Sequence, residues 1–134
     1  MKLVTVGTVA FDDIETPRGR AEMVIGGAAT YISRSASFFV ENQGIVSVIG
    51  GDFPEDELEE MRSLGINTDG IEIKKEEKSF FWAGRYHDNM NKRDILITDL
   101  NVLAKFETKL QEEYSSAEYL MLGKLTPDIK MNVI

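Results

Sequence analysis

The sequence of 134 residues predicts an α/β fold in which helices cover a parallel β-sheet. Short apolar runs at residues 3–6 and 45–49 are typical of buried strands, as in parallel sheets, and residues 117–122 form another apolar run that predicts a strand. Segments with helical periodicity lie between these runs. Because strands and helices alternate along the chain, we expect a layered α/β domain.

Two helices are predicted from periodicity and from the residues at their ends. The first begins after Gly27 and runs to about Val40, because apolar residues recur there every three to four positions. The second begins at Pro54, whose fixed φ suits a first helical turn, and the acids at residues 55–57 complement the positive end of its dipole. Gly65 is expected to end this helix in a left-handed conformation.

Other parts of the chain are typical of strands outside the main sheet. Charged turns separate short β-branched and aromatic runs between residues 71 and 97, and a second such stretch lies near residues 12–24. Side chains alternate along a strand, which predicts one face with Phe80, Trp82 and Tyr86 and an opposite face with Ser79, Phe81 and Arg85. The two stretches can pair into one small sheet that covers a ligand or a partner. A purely structural hairpin face is the alternative.

The composition excludes several classes of partner. A net charge of −8 would repel the phosphates of nucleic acids and of anionic lipids. No run approaches the roughly 18 apolar residues of a membrane-spanning helix. The first residues lack the pattern of a secretion signal, and the absence of cysteine excludes disulfides and thiolate metal sites. We therefore expect a cytoplasmic protein that binds neither nucleic acid nor membrane.

Asp12 and the pair Gly26 and Gly27 are the candidate ligand-binding residues. We predict that Asp12 follows the first strand, at the edge where ligands of open α/β sheets bind, and that its carboxylate accepts hydrogen bonds from two sugar hydroxyls. Glycines lack side chains, so backbone amides at the start of the next helix can approach a ligand oxygen. The simpler alternatives are that Asp12 or Asp13 starts a turn and that the glycines form a tight strand-to-helix connection.

The order of several short motifs resembles the amino-terminal portion of the ribokinase-like (PfkB) family of carbohydrate and nucleoside kinases. The motifs are the acidic Asp12, the glycine pair at residues 26–27, Gly50 and Asp52 before a helix, and a GI-x-T segment at residues 65–68. The resemblance continues in the lid-like segment FWAGRYH at residues 81–87 and in LNV at residues 100–102, so that it spans nearly the whole chain. The resemblance implies a three-layer α/β core with a parallel sheet and a small β-sheet lid, whose strands would lie near residues 12–24 and 71–97.

The resemblance also implies roles for individual side chains. The substrate-binding residues would be Asp12, Gly26, Gly27, Thr30 and Tyr31, and the lid residues would be Phe81, Trp82 and Arg85. Many family members have asparagine where this chain has Tyr31, which leaves ribose or fructose in doubt as the substrate. The tyrosine ring can stack on a sugar or a base, or it can be a core side chain. Asp52 is expected to organise the loop before its helix.

No metal site is predicted. The polar stretch HDNMNKRD at residues 87–94 is rich in turn formers and lacks the ligand spacing of a closed metal site. We expect it to form a solvated turn.

The sequence lacks the motif that carries catalysis in these kinases. Their GAGD segment supplies a general base and an anion hole, and GAGD does not occur here. Thr126 and Pro127 predict the start of a further helix with few residues left to form it. We therefore expect a truncated fold in which the carboxy-terminal ATP-binding half is absent.

The expected function follows from the resemblance. The complete enzyme would use ATP and Mg²⁺ to phosphorylate an alcohol group of a carbohydrate. This chain would be its substrate-binding half, with no catalytic residue and no cofactor of its own. The alternatives are a nucleoside kinase of the same family, or a non-catalytic fragment that binds a small molecule or assembles, including as a homodimer through the lid sheet.

Overall fold

The structure, a computed structural model, describes residues 1–134. The strands are β1 (Leu3–Val6), β2 (Ala10–Thr16), β3 (Gly19–Gly26), β4 (Gln43–Gly50), β5 (Ile66–Asn67), β6 (Ile71–Lys74), β7 (Phe80–Tyr86), β8 (Arg93–Asp99) and β9 (Tyr119–Leu122). The helices are α1 (Ala28–Ala36), α2 (Glu55–Ser63), α3 (Glu112–Ser115) and α4 (Pro127–Val133), with a 3₁₀ helix at Asn101–Lys105. None of these helices combines the length and the apolar composition needed to cross a bilayer.

The main sheet is parallel and has the strand order β5-β4-β1-β9, with β6 pairing alongside the second half of β4. All eight residues of β4 are buried, as predicted for a strand covered on both faces. Ile45 and Ile49 belong to the core that includes side chains of α1 and α2. Val46 and Val48 belong to a second core with the 3₁₀ helix, α3 and α4. Two cores on opposite faces confirm the predicted three-layer arrangement.

The second, small sheet has the strand order β3-β2-β7-β8, and only the β2–β7 pair is parallel. It contains most of the two predicted lid stretches. The predicted lid stretch at residues 71–97 is wrong at its amino-terminal end, because residues 71–74 form β6 in the main sheet. Ile71 is buried in the core beneath α2, and this burial favours pairing with β4 over the small sheet.

The position of Asp12 differs from the expectation. β1 ends at Val6, the chain crosses to the small sheet through residues 7–9, and Asp12 lies within β2. Neither Asp12 nor Asp13 starts a turn. The carboxylate is therefore held by a paired strand, which positions it more firmly than a loop would.

Helix α1 is shorter than predicted. It ends at Ala36, and residues 37–39 form a turn in which Phe39 is 89% exposed, so neither it nor Val40 extends the buried helix face. The Ser37 hydroxyl donates to the carbonyl of Arg34 at 2.6 Å. Such a local side-chain bond competes with continued helix, and no core surface is available to favour extension.

Candidate functional site

A cleft of about 910 Å³ separates the small sheet from the start of α1 and from the carboxy-terminal segment. Of the predicted site residues, Asp12, Gly27, Tyr31 and Trp82 line it. Its floor is largely apolar and aromatic, with a few polar groups, which is the usual composition of a small-molecule site.

The Asp12 carboxylate is one of the two carboxylates that line the cleft, the other being that of Asp128. It is half-buried, and no group of the chain donates a hydrogen bond to it. Burial raises its pKa above the ordinary value of 3.8, and the nearby charge of Asp13 raises the pKa further. A partly desolvated carboxylate without a donor binds hydroxyl groups of a ligand more strongly than a solvated one does.

Gly26 provides the space for this carboxylate. A Cβ atom at position 26 would lie 2.6 Å from the Asp12 Cγ and nearer still to Oδ2. Gly26 is itself buried and does not line the cleft. Its predicted role in contacting substrate is therefore indirect, since it determines where the Asp12 carboxylate can lie.

Gly27 forms the tight connection between β3 and α1. Its φ of 98° favours glycine, and a Cβ atom there would lie 2.7 Å from the carbonyl carbon of Thr8. Its own N–H group donates to no acceptor of the chain and lies at the cleft wall. Gly27 thus combines the turn that the sequence suggested with a free donor in a residue of the cleft that Asp12 also lines.

The first amides of α1 are not free for a ligand, contrary to the expectation. Thr8 accepts both of them, since its Oγ1 binds the amide of Ala28 and its carbonyl binds the amide of Ala29, each at 2.9 Å. Thr8 therefore caps a helix that begins 20 residues later. Sequence reasoning missed this role because capping residues are normally sought immediately before the helix.

Thr30 and Tyr31 have different environments. Thr30 is 2% exposed, and its Oγ1 donates to the carbonyl of Gly26 at 2.8 Å, so its contact stabilises the turn and lies outside the main cleft. Tyr31 is 57% exposed and lies between the main cleft and a smaller one of about 430 Å³. The alternative of a core tyrosine is wrong, and the ring is available to a ligand.

The predicted faces of β7 are found in the structure. Phe80, Trp82 and Tyr86 line the cleft. Of the three predicted lid residues, only Trp82 does so. Phe81 packs against the core beneath the sheet, and the Arg85 Nε donates to Glu15 Oε2 at 3.0 Å. Both therefore support the small sheet instead of contacting the cleft.

Several cleft residues carry no sequence signal. Arg93 of β8 lies 5.6 Å from the centre of the Trp82 ring, and Phe106, Lys124 and Asp128 complete the far wall. These residues come from segments more than 60 positions from Asp12, and only the folded topology brings them together. Asp52 lies elsewhere and accepts from the backbone N–H and the hydroxyl of Ser79, both at 2.8 Å, which agrees with its predicted role in organising a loop.

The structure shows no preassembled cluster of metal ligands. No group of three or more histidine, cysteine, aspartate or glutamate side chains could hold a metal ion. Free amides at a helix start commonly bind phosphates, but Thr8 accepts the amides of Ala28 and Ala29 in α1, and three acids lie in the first turn of α2. His87 lies in an exposed turn and contacts Asp94 at 3.1 Å.

Comparisons with known sequences and structures find similarity to sugar and nucleoside kinases. No family model matches the chain. A cytidine kinase of Thermococcus kodakarensis is 27% identical over all of this chain, which spans about half, 47%, of that protein's length. Among solved structures, the nucleoside kinase of Methanocaldococcus jannaschii, an archaeal member of the ribokinase family, is similar to this chain with a TM-score of 0.72 and 17% identity. The match covers 98% of this chain and 48% of the nucleoside kinase.

A third relative extends the comparison to a complex. The structure of ribokinase from Cryptococcus neoformans in complex with ADP is similar to this chain with a TM-score of 0.71 and 15% identity. The match covers 90% of this chain and 40% of the ribokinase. The resemblance to the ribokinase-like (PfkB) family is thereby confirmed, and the chain has the fold of one part of these kinases.

Proposed function

We propose that this chain is the acceptor-binding part of an ATP-dependent kinase that phosphorylates an alcohol group of a sugar or nucleoside. The observation that carries the proposal is the Asp12 carboxylate, which accepts no hydrogen bond from the chain and lines the same cleft as Gly27, whose N–H is free. A hydroxyl group both donates and accepts hydrogen bonds, so this acceptor and donor together suit it.

Of the two acceptor classes, the lining of the cleft favours a nucleoside. The rings of Tyr31, Phe80, Trp82 and Tyr86 surround the cleft, and a base has a flat π-face on which such rings stack. The volume of about 910 Å³ exceeds what a single sugar ring requires. The similarity to a cytidine kinase gives further support. The ribose hydroxyls would bind at Asp12 and the base would lie among the aromatic rings.

The proposal assigns no phosphoryl transfer to this chain alone. It has no GAGD segment, which in these kinases supplies the general base and the anion hole. ATP, when bound by the complete kinase, would supply the phosphoryl group. The contribution of this chain is to hold and orient the acceptor and to exclude water from it with the small sheet.

The proposal is tested by isothermal titration of the purified chain with cytidine and with D-ribose. We expect saturable binding of cytidine that weakens about tenfold or more in Asp12→Ala, since a hydrogen bond to a charged group contributes roughly 1.5–3 kcal/mol. Asp99→Ala is the matched control, because Asp99 lies in the same sheet outside the cleft. Equal affinity of wild type and Asp12→Ala would contradict the proposal.

The small sheet supports a second candidate function, assembly as a homodimer. All seven residues of its outer strand β8 are exposed, including Leu96 and Ile97, and one edge of this strand is unpaired. An exposed apolar edge strand is a template for pairing with another chain. Sedimentation analysis should show a dimer that Leu96→Lys dissociates. Phe38→Lys should leave the dimer intact, because Phe38 is an exposed apolar residue outside the small sheet. A monomeric wild type would rule out this candidate.

A further inference from the structure

A β-bulge lies directly beside Asp12. The pairing register of β2 and β3 shifts between Asp12 and Ile14, so that the single residue Asp13 faces two residues, Glu22 and Met23. Met23 has a φ of 51°, a left-handed conformation that residues with side chains rarely adopt. The bulge is therefore strained at a defined position, and some interaction must hold it there.

The interaction is a hydrogen bond to Asp13. The Asp13 Oδ1 accepts the backbone N–H of Met23 at 2.7 Å, and the Asp13 side chain is only 21% exposed. Met23 is 53% exposed, so the packing of its own side chain does not account for its backbone conformation. A second contact, from Arg20 Nη2 to Asp13 Oδ2, is long at 3.9 Å. The Asp13 carboxylate is thus the main anchor of the bulge.

The bulge determines which residue of β3 lies against the cleft carboxylate. From the hairpin end, Ile14 pairs with Ala21, and an uninterrupted register would go on to pair Ala10 with Ile25. The bulge shifts this pairing by one residue, and Ala10 pairs with Gly26 instead. A slip of one residue also exchanges the two faces of a strand. Without the bulge, a branched side chain would therefore occupy the space that Gly26 leaves for the carboxylate.

We propose that Asp13 is a positioning residue for Asp12: by holding the left-handed bulge at Met23, it keeps Gly26 beneath the Asp12 carboxylate and so orients that carboxylate toward the ligand. The two neighbouring acids of β2 then have separate tasks, because successive side chains of a strand point to opposite faces. Asp12 binds the ligand and Asp13 fixes the strand opposite it. This inference rests on the proposed function for the part that concerns ligand binding.

Three variants of the full chain separate positioning from charge. Asp13→Ala removes the acceptor, while Asp13→Asn keeps an acceptor oxygen and removes the charge. The double variant Asp13→Ala with Met23→Gly removes the acceptor and also the strain, since glycine adopts a left-handed φ readily. Glu22→Ala is the matched control, because it removes an exposed acid from the same bulge without removing the bond to Met23.

Two readouts are measured. Backbone NOEs in the free protein report whether Ala10 lies opposite Gly26 or Ile25, and titration with cytidine reports the dissociation constant. We expect Asp13→Ala to lose the native register and to bind cytidine about tenfold more weakly or worse. Asp13→Asn, the double variant and Glu22→Ala should keep the register and bind within about threefold of wild type.

The inference is overturned if Asp13→Ala retains the contacts of Ala10 with Gly26 and wild-type affinity, or if the glycine does not restore the register. Should Asp13→Ala fail to fold, the double variant decides alone: native register supports the inference, and its loss contradicts it. If wild type does not bind cytidine, the proposed function fails at that point. The NOE comparison needs no ligand and still decides the role of Asp13 in the bulge.

Discussion

Replacing Gly26 by alanine tests whether the space beneath the Asp12 carboxylate is needed for binding. The added Cβ would lie 2.6 Å from the Asp12 Cγ, whereas ordinary van der Waals contact begins at 3.4 Å. The carboxylate must therefore move by at least about 0.8 Å, the difference between these two distances. Hydroxyl-to-carboxylate bonds span only about 2.5–2.7 Å, so a displacement of this size breaks or bends them.

The cost should appear in binding and hardly in stability. Loss of a hydrogen bond to a charged group corresponds to roughly 1.5–3 kcal/mol, or about a 10- to 150-fold weaker affinity for cytidine. The group displaced is the end of a side chain that can rotate away, so we expect the free energy of unfolding to change by less than about 1 kcal/mol. Affinity is measured by calorimetric titration and stability by urea denaturation.

Gly27→Ala provides the contrast at the adjacent position. There the added Cβ meets the backbone of Thr8, which cannot move aside, and φ is 98°. We expect this variant to lose about 3 kcal/mol or more of stability. The reasoning is refuted if Gly26→Ala binds cytidine like wild type, or if it loses as much stability as Gly27→Ala.

Three further predictions concern single side chains. Because burial raises the pKa of Asp12, the free energy of unfolding of wild type should fall as the pH rises from 3.8 through the raised pKa. Asp12→Asn should lack this pH dependence in urea denaturation and should bind cytidine more weakly than wild type. Ser79→Ala removes a buried hydroxyl that donates to Asp52, and should cost about 1–3 kcal/mol in the same assay with cytidine affinity unchanged. The pKa of Tyr114 is raised to about 12, mainly by burial, so stability should fall between pH 10 and 12 in wild type, and Tyr114→Phe should show no such step.

The main sheet and its cores were predictable because their signal is local. Apolar β-branched runs gave β1 and β4, an apolar run gave β9, and acids with a following glycine gave α2. Strands β1 and β4 are buried, so their burial is visible in the composition of each run. In β9, by contrast, Tyr119, Leu120 and Met121 are exposed. The alternation along β7 likewise identified the face with Trp82 that lines the cleft.

The rest depends on pairing between distant segments. β6 is a four-residue alternating run that fits either sheet, and only the core position of Ile71 decides between them. The bulge at Met23 is held by the hydrogen bond from its amide to Asp13. This bond joins the two strands of a hairpin, so the strand propensities of single residues do not predict it. The capping of α1 by Thr8 and the cleft wall around Lys124 also depend on chain topology. Asp12 was identified from the sequence, but the bulge at Met23 that places Gly26 beside its carboxylate was not.

The most direct test of the account is the fluorescence of Trp82 during titration with cytidine. Trp82 is the single tryptophan of the chain and lines the cleft that contains Asp12, so its emission reports on that site alone. The account predicts a saturable change in wild type that Asp12→Ala weakens about tenfold or more, while Asp99→Ala leaves it unchanged. A titration without any change, or one that is identical in Asp12→Ala, would contradict the claim that this cleft binds the acceptor through Asp12.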